Sequence, residues 1–315
     1  MALKAIQETL SKLNRYPDGS CHDLVKKLSE KFNVAPDNIV LGNGSDDILG
    51  MLVLAFLRPG DEAVLPKPSF LMYDIAVRSV GATPVYVPLK SLSIDLEGMK
   101  ERISPKTRMI FICNPNNPTG TIVSAQDFDA FIHAIPQDIV VIVDEAYIEF
   151  ARDKDCVSTV RYAGMGRPVV TLRTFSKVYG LAGLRVGYGI MAQEIAALLN
   201  RVRHPFNVNS VAQTGAAAAL EDTAFFEKTI RLIHEGLDFF YESFDRLGIK
   251  YVPTQANFFL IEVSKDANEV FESLLRLGII VRSMASYGYS NYIRVNAGLP
   301  EENTRLVDGL IRVLR

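Results

Sequence analysis

Apolar residues in this chain fall into short runs closed by turn residues. NIVLGNG (38–44), EAVLP (62–66), TPVYVPL (83–89), RMIFICNP (108–115), IVVIVDEAY (139–147) and VVTLRTF (169–175) are rich in β-branched residues. They are too short for helices and read as strands. Between several of them the period changes to that of a helix. SDDILGMLVLAFL, with Ser45 in the capping position, and SAQDFDAFIHAI are two such stretches. Strands alternating with helices predict an α/β fold, a mostly parallel sheet flanked by helices on both faces. Beyond about residue 205 the pattern shifts. VAQTGAAAAL and FFEKTIRLIHEGLDFFYESFDRLG read as long helices, NFFLIEV and IIVR as short strands, and ENTRLVDGLIRVL as a closing helix. This predicts a smaller α+β domain. The expected division is a large domain over 35–220 and a small domain formed by 1–34 and 221–315.

Composition narrows the picture. The chain has 315 residues, 48% hydrophobic and 22% charged, which suits a globular protein with a substantial core. A net charge of −2 gives no reason to expect nucleic acid or an anionic membrane as partner. Cys21, Cys113 and Cys156 lie far apart, without metal spacing, as expected in a reducing cytoplasm. No apolar run has the length of a membrane span, and MALKAIQETL lacks a signal-peptide core.

Chemistry concentrates in TFSKVYGLAGLRVGYG, Thr174 to Gly189. Lys177 stands between hydroxyl side chains and glycines, and Arg185 follows eight residues later. A lysine that attacks a carbonyl needs a shielded site and a depressed pKa. A phosphate needs hydroxyls, backbone N–H groups and an arginine fork. Taken alone, the segment is also compatible with a surface lysine before a glycine-rich turn.

Three other segments fall where strands should end, which is where open parallel sheets bind ligands. GNGSDD (42–47) forms a strand-to-helix turn that can bring backbone amides to an anion. A dinucleotide turn is the rival reading there, but Asp47 occupies the place of its third glycine. NPNNPTG (114–120) is a forced turn that presents asparagine amides, or an ordinary loop. VDEAYIEF (143–150) puts Asp144 at the end of an apolar strand, where a buried carboxylate needs a cationic partner. A protonated pyridine nitrogen would serve, with Tyr147 close by; a metal held by Asp144 and Glu145 is the alternative. His22, His133, His204 and His234 are too scattered in sequence to complete a metal site.

Together with YPDG (16–19), KPSF (67–70), RTFSK (173–177) and NYIRVNAG (291–298), these segments resemble pyridoxal-phosphate (PLP) aminotransferases of fold type I. Nearly the whole chain takes part, and the resemblance is strongest to the histidinol-phosphate aminotransferases. It implies that Lys177 forms the Schiff base with the cofactor and carries the proton. Asp144 pairs with the pyridine nitrogen, Tyr147 and Asn117 contact the ring hydroxyl oxygen, and Phe70 stacks on the ring. Ser45, Asp46, Ser176 and Arg185, with Thr174 in a lesser role, hold the phosphate. Tyr16 reaches the phosphate of a neighbouring subunit, so the resemblance implies a homodimer with shared sites. Arg294 clamps the substrate carboxylate beside Asn117, and Arg282 is a second anion contact or a strand-end surface residue.

The chain begins where the family's extra N-terminal segment should have ended, so that arm is expected to be missing. The implied reaction is transamination of histidinol phosphate with 2-oxoglutarate, giving imidazole-acetol phosphate and glutamate. An aromatic amino-acid aminotransferase or a threonine-phosphate decarboxylase would carry nearly the same residues. A nicotinamide oxidoreductase and a non-catalytic PLP-fold binding protein are the alternatives from other classes.

Overall fold

A computed structural model describes residues 1–156 and 158–314. Seven strands form the larger sheet: β1 (Ile39–Gly42), β2 (Glu62–Lys67), β3 (Thr83–Pro88), β4 (Thr107–Cys113), β5 (Val140–Asp144), β6 (Val169–Thr174) and β7 (Gly187–Ile190). Their order is β1-β7-β6-β5-β4-β2-β3. All pairings are parallel except those of β7, which is antiparallel to both β1 and β6. The expected sheet is therefore present, with one strand the hydrophobic pattern did not reveal. β7 reads Gly-Tyr-Gly-Ile, and glycines carry little strand signal.

Alternation along the central strands builds two cores. Met109, Phe111, Val140, Ile142, Val170 and Leu172 pack on one face with Ile48, Leu52 and Tyr73 from the helices Ser45–Phe56 and Leu71–Ser79. Ile110, Ile112, Val141, Val143 and Val169 pack on the other with Phe128 and Phe131 of the helix Ala125–Ala134. Burying each large side chain stabilises the fold by about 1.5–3 kcal/mol. The same parity assigns directions at the strand ends. Asp144 extends the Val140–Ile142 row, and Glu145 extends the Val141–Val143 row.

Helix starts follow local chemistry. The side chains of Ser124, Asn209, Asp222 and Asp266 each accept a hydrogen bond from the first turn they precede. Ser45 corrects the sequence reading. The cap is Gly44, with φ 83°, and Ser45 is the first helical residue.

A four-stranded antiparallel sheet follows, β8 (Tyr251–Val252), β9 (Phe258–Glu262), β10 (Arg282–Ser283) and β11 (Tyr292–Asn296), in the order β10-β11-β9-β8. Only the end of IIVR is strand. Phe240 and Phe244 of the long helix Thr223–Leu247 pack on Phe259 of this sheet. That core is continuous with Tyr188 of β7 and with Tyr147 and Phe175, which lie just beyond β5 and β6. Among the described residues no helix is long and apolar enough to cross a membrane.

Candidate active site

The carboxyl ends of β4, β5 and β6 stop side by side, with Cys113 opposite Asp144 and Asp144 opposite Leu172. A cavity of about 140 Å³ opens there. Lys177, Asp144, Tyr147, Asn117 and Phe70 line it, and so do Ser45, Asp46, Thr174, Ser176 and Arg185. Residues 140 positions apart in sequence thus meet at one point. Cys113 and Ala146 complete the wall, and neither stood out in the sequence.

Asp144 is 5% exposed and both its oxygens are occupied. The Tyr73 hydroxyl donates to Oδ2 at 2.8 Å, and the Ala146 N–H donates to Oδ1 at 3.1 Å. Burial raises its pKa to about 6, against the opposing pull of those two hydrogen bonds. Tyr73 was missed in the sequence. The only available signal was its position three residues after Phe70 on a helix, which equally describes a core tyrosine.

Lys177 follows β6 and lies with its Nζ 5.1 Å from the centre of the Tyr147 ring. Burial lowers the lysine pKa, and the nearby Arg294 guanidinium adds to this. A shielded amine with a depressed pKa is available as a nucleophile and as a base. Tyr147 is buried edge-on against Phe258, and desolvation pushes its phenol pKa up.

The NPNNPTG turn divides its asparagines. Asn114 exchanges hydrogen bonds with the Val123 backbone, and Asn116 binds Ser69 and Thr119. Both hold the loop. Asn117 is left facing the cavity, where its Oδ1 accepts a hydrogen bond from Arg294.

The opposite end of the cavity is an anion cradle. The helix Ser45–Phe56 starts there, so its first N–H groups have no intrahelical acceptor. Arg185 lies across it, with Nη1 3.4 Å from Ser176 Oγ and Nη2 3.5 Å from Asp46 Oδ2. Thr174 Oγ1 accepts from the Ser176 N–H at 3.0 Å. Two glycines permit the approach. A Cβ on Gly44 would lie 2.6 Å from Arg185 Nη2, and one on Gly187 would lie 2.4 Å from the Ser45 nitrogen. Asp47 accepts from the Asn43 N–H and from Asn207, so the residue at the third-glycine position pins this turn.

Glu145 does not share ligands with Asp144. Its buried carboxylate accepts from Arg173, Ser158 and Thr159 on the opposite side of the sheet. Arg282 and Arg294 are register partners on β10 and β11. Arg282 lines a second cavity of about 330 Å³ that shares Phe70 with the first. Tyr16 stands apart. Its side chain is exposed and stacks on Phe206 at 4.8 Å.

The model of the family described as aminotransferase class I and II matches residues 1–310. This chain belongs to that family. It is 43% identical over 314 residues to the histidinol-phosphate aminotransferase of Moorella thermoacetica, covering 99% of this chain and 81% of that protein. The corresponding protein of Caldicellulosiruptor saccharolyticus is 44% identical over 311 residues, covering 99% and 87%. Among solved structures, the histidinol-phosphate aminotransferase of Sinorhizobium meliloti in complex with pyridoxal-5'-phosphate superposes with a TM-score of 0.94. It is 27% identical and is matched over 100% of this chain and 87% of that one.

The chain is a PLP-dependent aminotransferase of fold type I. Its own residues fit the cofactor. A half-buried amine with a lowered pKa, a deep carboxylate and an anion cradle that tolerates no Cβ at Gly44 or Gly187 face one cavity.

Proposed function

We propose that this aminotransferase converts histidinol phosphate and 2-oxoglutarate into imidazole-acetol phosphate and glutamate, a step of histidine biosynthesis. The observation that carries the reaction class is the single cavity joining Lys177 and Asp144 to the Ser45–Arg185 cradle. The substrate is supported by the names of the 43–44% identical relatives. The adjacent arginines 282 and 294 add to that support, since one substrate carries carboxylates and the other a phosphate.

Lys177 would hold the cofactor through Nζ, Asp144 would face its ring nitrogen, and Tyr147 with Asn117 would contact its hydroxyl oxygen. Phe70 would cover its face. The Ser45 and Asp46 amides, Ser176, Arg185 and to a lesser degree Thr174 would bind its phosphate. Bound there, PLP supplies a sink for the charge released at the substrate Cα. The amine of Lys177, its pKa lowered by burial, would take the Cα proton and hand it back to complete the exchange. Arg294 orients the substrate carboxylate, and Arg282 takes the distal anion.

We further propose a large domain over 35–220, a small domain from 1–34 and 221–315, and a cytoplasmic homodimer. The exposure of Tyr16, Leu10 and Leu13 supports a partner surface, across which Tyr16 would reach the second subunit's cofactor phosphate. The test is turnover of histidinol phosphate, phenylalanine and threonine phosphate with 2-oxoglutarate. Preference for histidinol phosphate by at least tenfold in kcat/KM is expected. Equal or better use of phenylalanine, or release of carbon dioxide from threonine phosphate, would reject the assignment.

A further inference from the structure

We propose that Tyr73 is a positioning residue that fixes two contacts of the cofactor ring at once, the Asp144 carboxylate at its edge and the Phe70 ring at its face. The inference rests on the reading of Asp144 as the partner of the ring nitrogen. Tyr73 is 2% exposed. Its ring stacks on Phe111 of β4 at 5.0 Å and meets Phe70 edge-on at 5.5 Å, with an interplanar angle of 84°. Its hydroxyl donates to Asp144 Oδ2 at 2.8 Å. One rigid side chain, clamped by the sheet, therefore touches both groups. Neither could swing without disturbing it.

The hydrogen bond also has a sign. A phenol donating to a carboxylate favours the ionised form. Burial works in the other direction on Asp144. The remaining groups around it do not replace the phenol. Cys113, at the end of β4, gives its thiol to the Pro115 carbonyl at 3.3 Å, and burial raises its pKa to about 12. Asp46, from the helix Ser45–Phe56, adds negative charge that disfavours ionisation. Lys177, after β6, favours the ionised carboxylate, but its attraction ranks behind burial and both hydrogen bonds. Asn117 and Tyr147 face the same cavity as neutral groups. With Tyr73 in place, a proton shared between carboxylate and ring nitrogen rests on the nitrogen. Without it, the balance moves toward the carboxylate.

The test uses holoenzyme loaded with PLP labelled with nitrogen-15 in the ring. Nitrogen protonation is followed by NMR across pH, and cofactor affinity by equilibrium dialysis. Tyr73→Phe removes one oxygen and keeps the ring that packs on Phe111. It should lower the protonated fraction at neutral pH, weaken cofactor affinity about tenfold and reduce kcat with little change in KM. Asp144→Asn should lower nitrogen protonation further. Adding Tyr73→Phe to Asp144→Asn should then change the nitrogen signal no more. If Asp144→Asn changes nitrogen protonation and Tyr73→Phe does not, Tyr73 has no positioning role. If the two substitutions act additively on the nitrogen, Tyr73 does not work through Asp144. If Asp144→Asn itself leaves nitrogen protonation unchanged, the underlying reading of Asp144 is wrong, and this inference goes with it.

Discussion

Arg294 on the four-stranded sheet donates a hydrogen bond to the Asn117 side chain, on the loop that ends β4 of the seven-stranded sheet. Its guanidinium also lies 4.8 Å from the centre of the Phe258 ring, and its Nε is buried without a hydrogen-bond partner among the described residues. A half-buried guanidinium with an unused donor is poised for an incoming anion. The arginine thereby links the two sheets and leaves hydrogen-bonding capacity for a carboxylate.

Arg294→Lys should impair the use of glutamate and 2-oxoglutarate, raising KM by about 10–100-fold, because an ammonium cannot reproduce the bidentate fork. The visible spectrum of the bound cofactor should not change. Steady-state kinetics together with absorbance on the same preparation checks both halves. A KM within twofold of the native value would remove Arg294 from the substrate site.

Lys177→Ala should abolish transamination. In the native enzyme, borohydride should fix the cofactor covalently, and peptide mapping should find the adduct on Lys177. Its shielding, its lowered pKa and its position in the cavity all point to this amine. An adduct on any other lysine would overturn the whole site.

Asp144→Asn should stabilise the cofactor-free protein at neutral pH while removing activity. The unfolded chain gives up this proton near 3.8, whereas the folded protein retains it to about 6. As pH rises between those values, the unfolded state is favoured, and the penalty persists above them. The shift corresponds to roughly 3 kcal/mol. Thermal melts of cofactor-free protein should show the variant more stable at pH 7.5, with the advantage fading by pH 4. An equal melting temperature at pH 7.5 would mean that Asp144 is not held in a desolvated state.

The proposed shared site makes a separate prediction about subunits. Tyr16→Phe and Lys177→Ala homodimers should each be impaired, the first by about tenfold in cofactor affinity. In a mixed dimer, one site carries both defects and the other carries neither. Mixing the variants under exchange conditions should therefore restore activity, up to half the native value per hybrid dimer. No recovery in verified hybrids, or a fully active monomer, would show that Tyr16 acts only within its own subunit.

Much of this arrangement was legible in the sequence, for identifiable reasons. Strands β2, β4, β5 and β6 carry apolar runs buried on both faces, and such runs are conspicuous. Lys177, Asp144 and Arg185 were legible because polar groups at strand ends and glycine turns stand out against them. What escaped notice has the opposite character. Tyr73 looks like core because it is core, although its hydroxyl reaches Asp144 and its ring meets Phe70. Ser45 looked like a cap because serines often are, yet the φ of 83° fell to Gly44. β7 was hidden by its glycines, of which Gly187 serves close packing against the backbone of Ser45 and Arg173.

That antiparallel strand also bears on how the enzyme meets its cofactor. β6 and β7 pair directly, Thr174 against Gly187, so the stretch from Lys177 to Arg185 is the tip of a hairpin pinned at its base. Phe175 and Leu181 tie it again across its width, through the Leu181 N–H and the Phe175 carbonyl. The proposed anchoring amine, Lys177, and the proposed phosphate-binding guanidinium, Arg185, therefore belong to one closed loop whose ordering is completed when the chain folds. Ligand capture then has little disorder left to remove there, and a lesion at the hairpin base should loosen both ends of the bound molecule together.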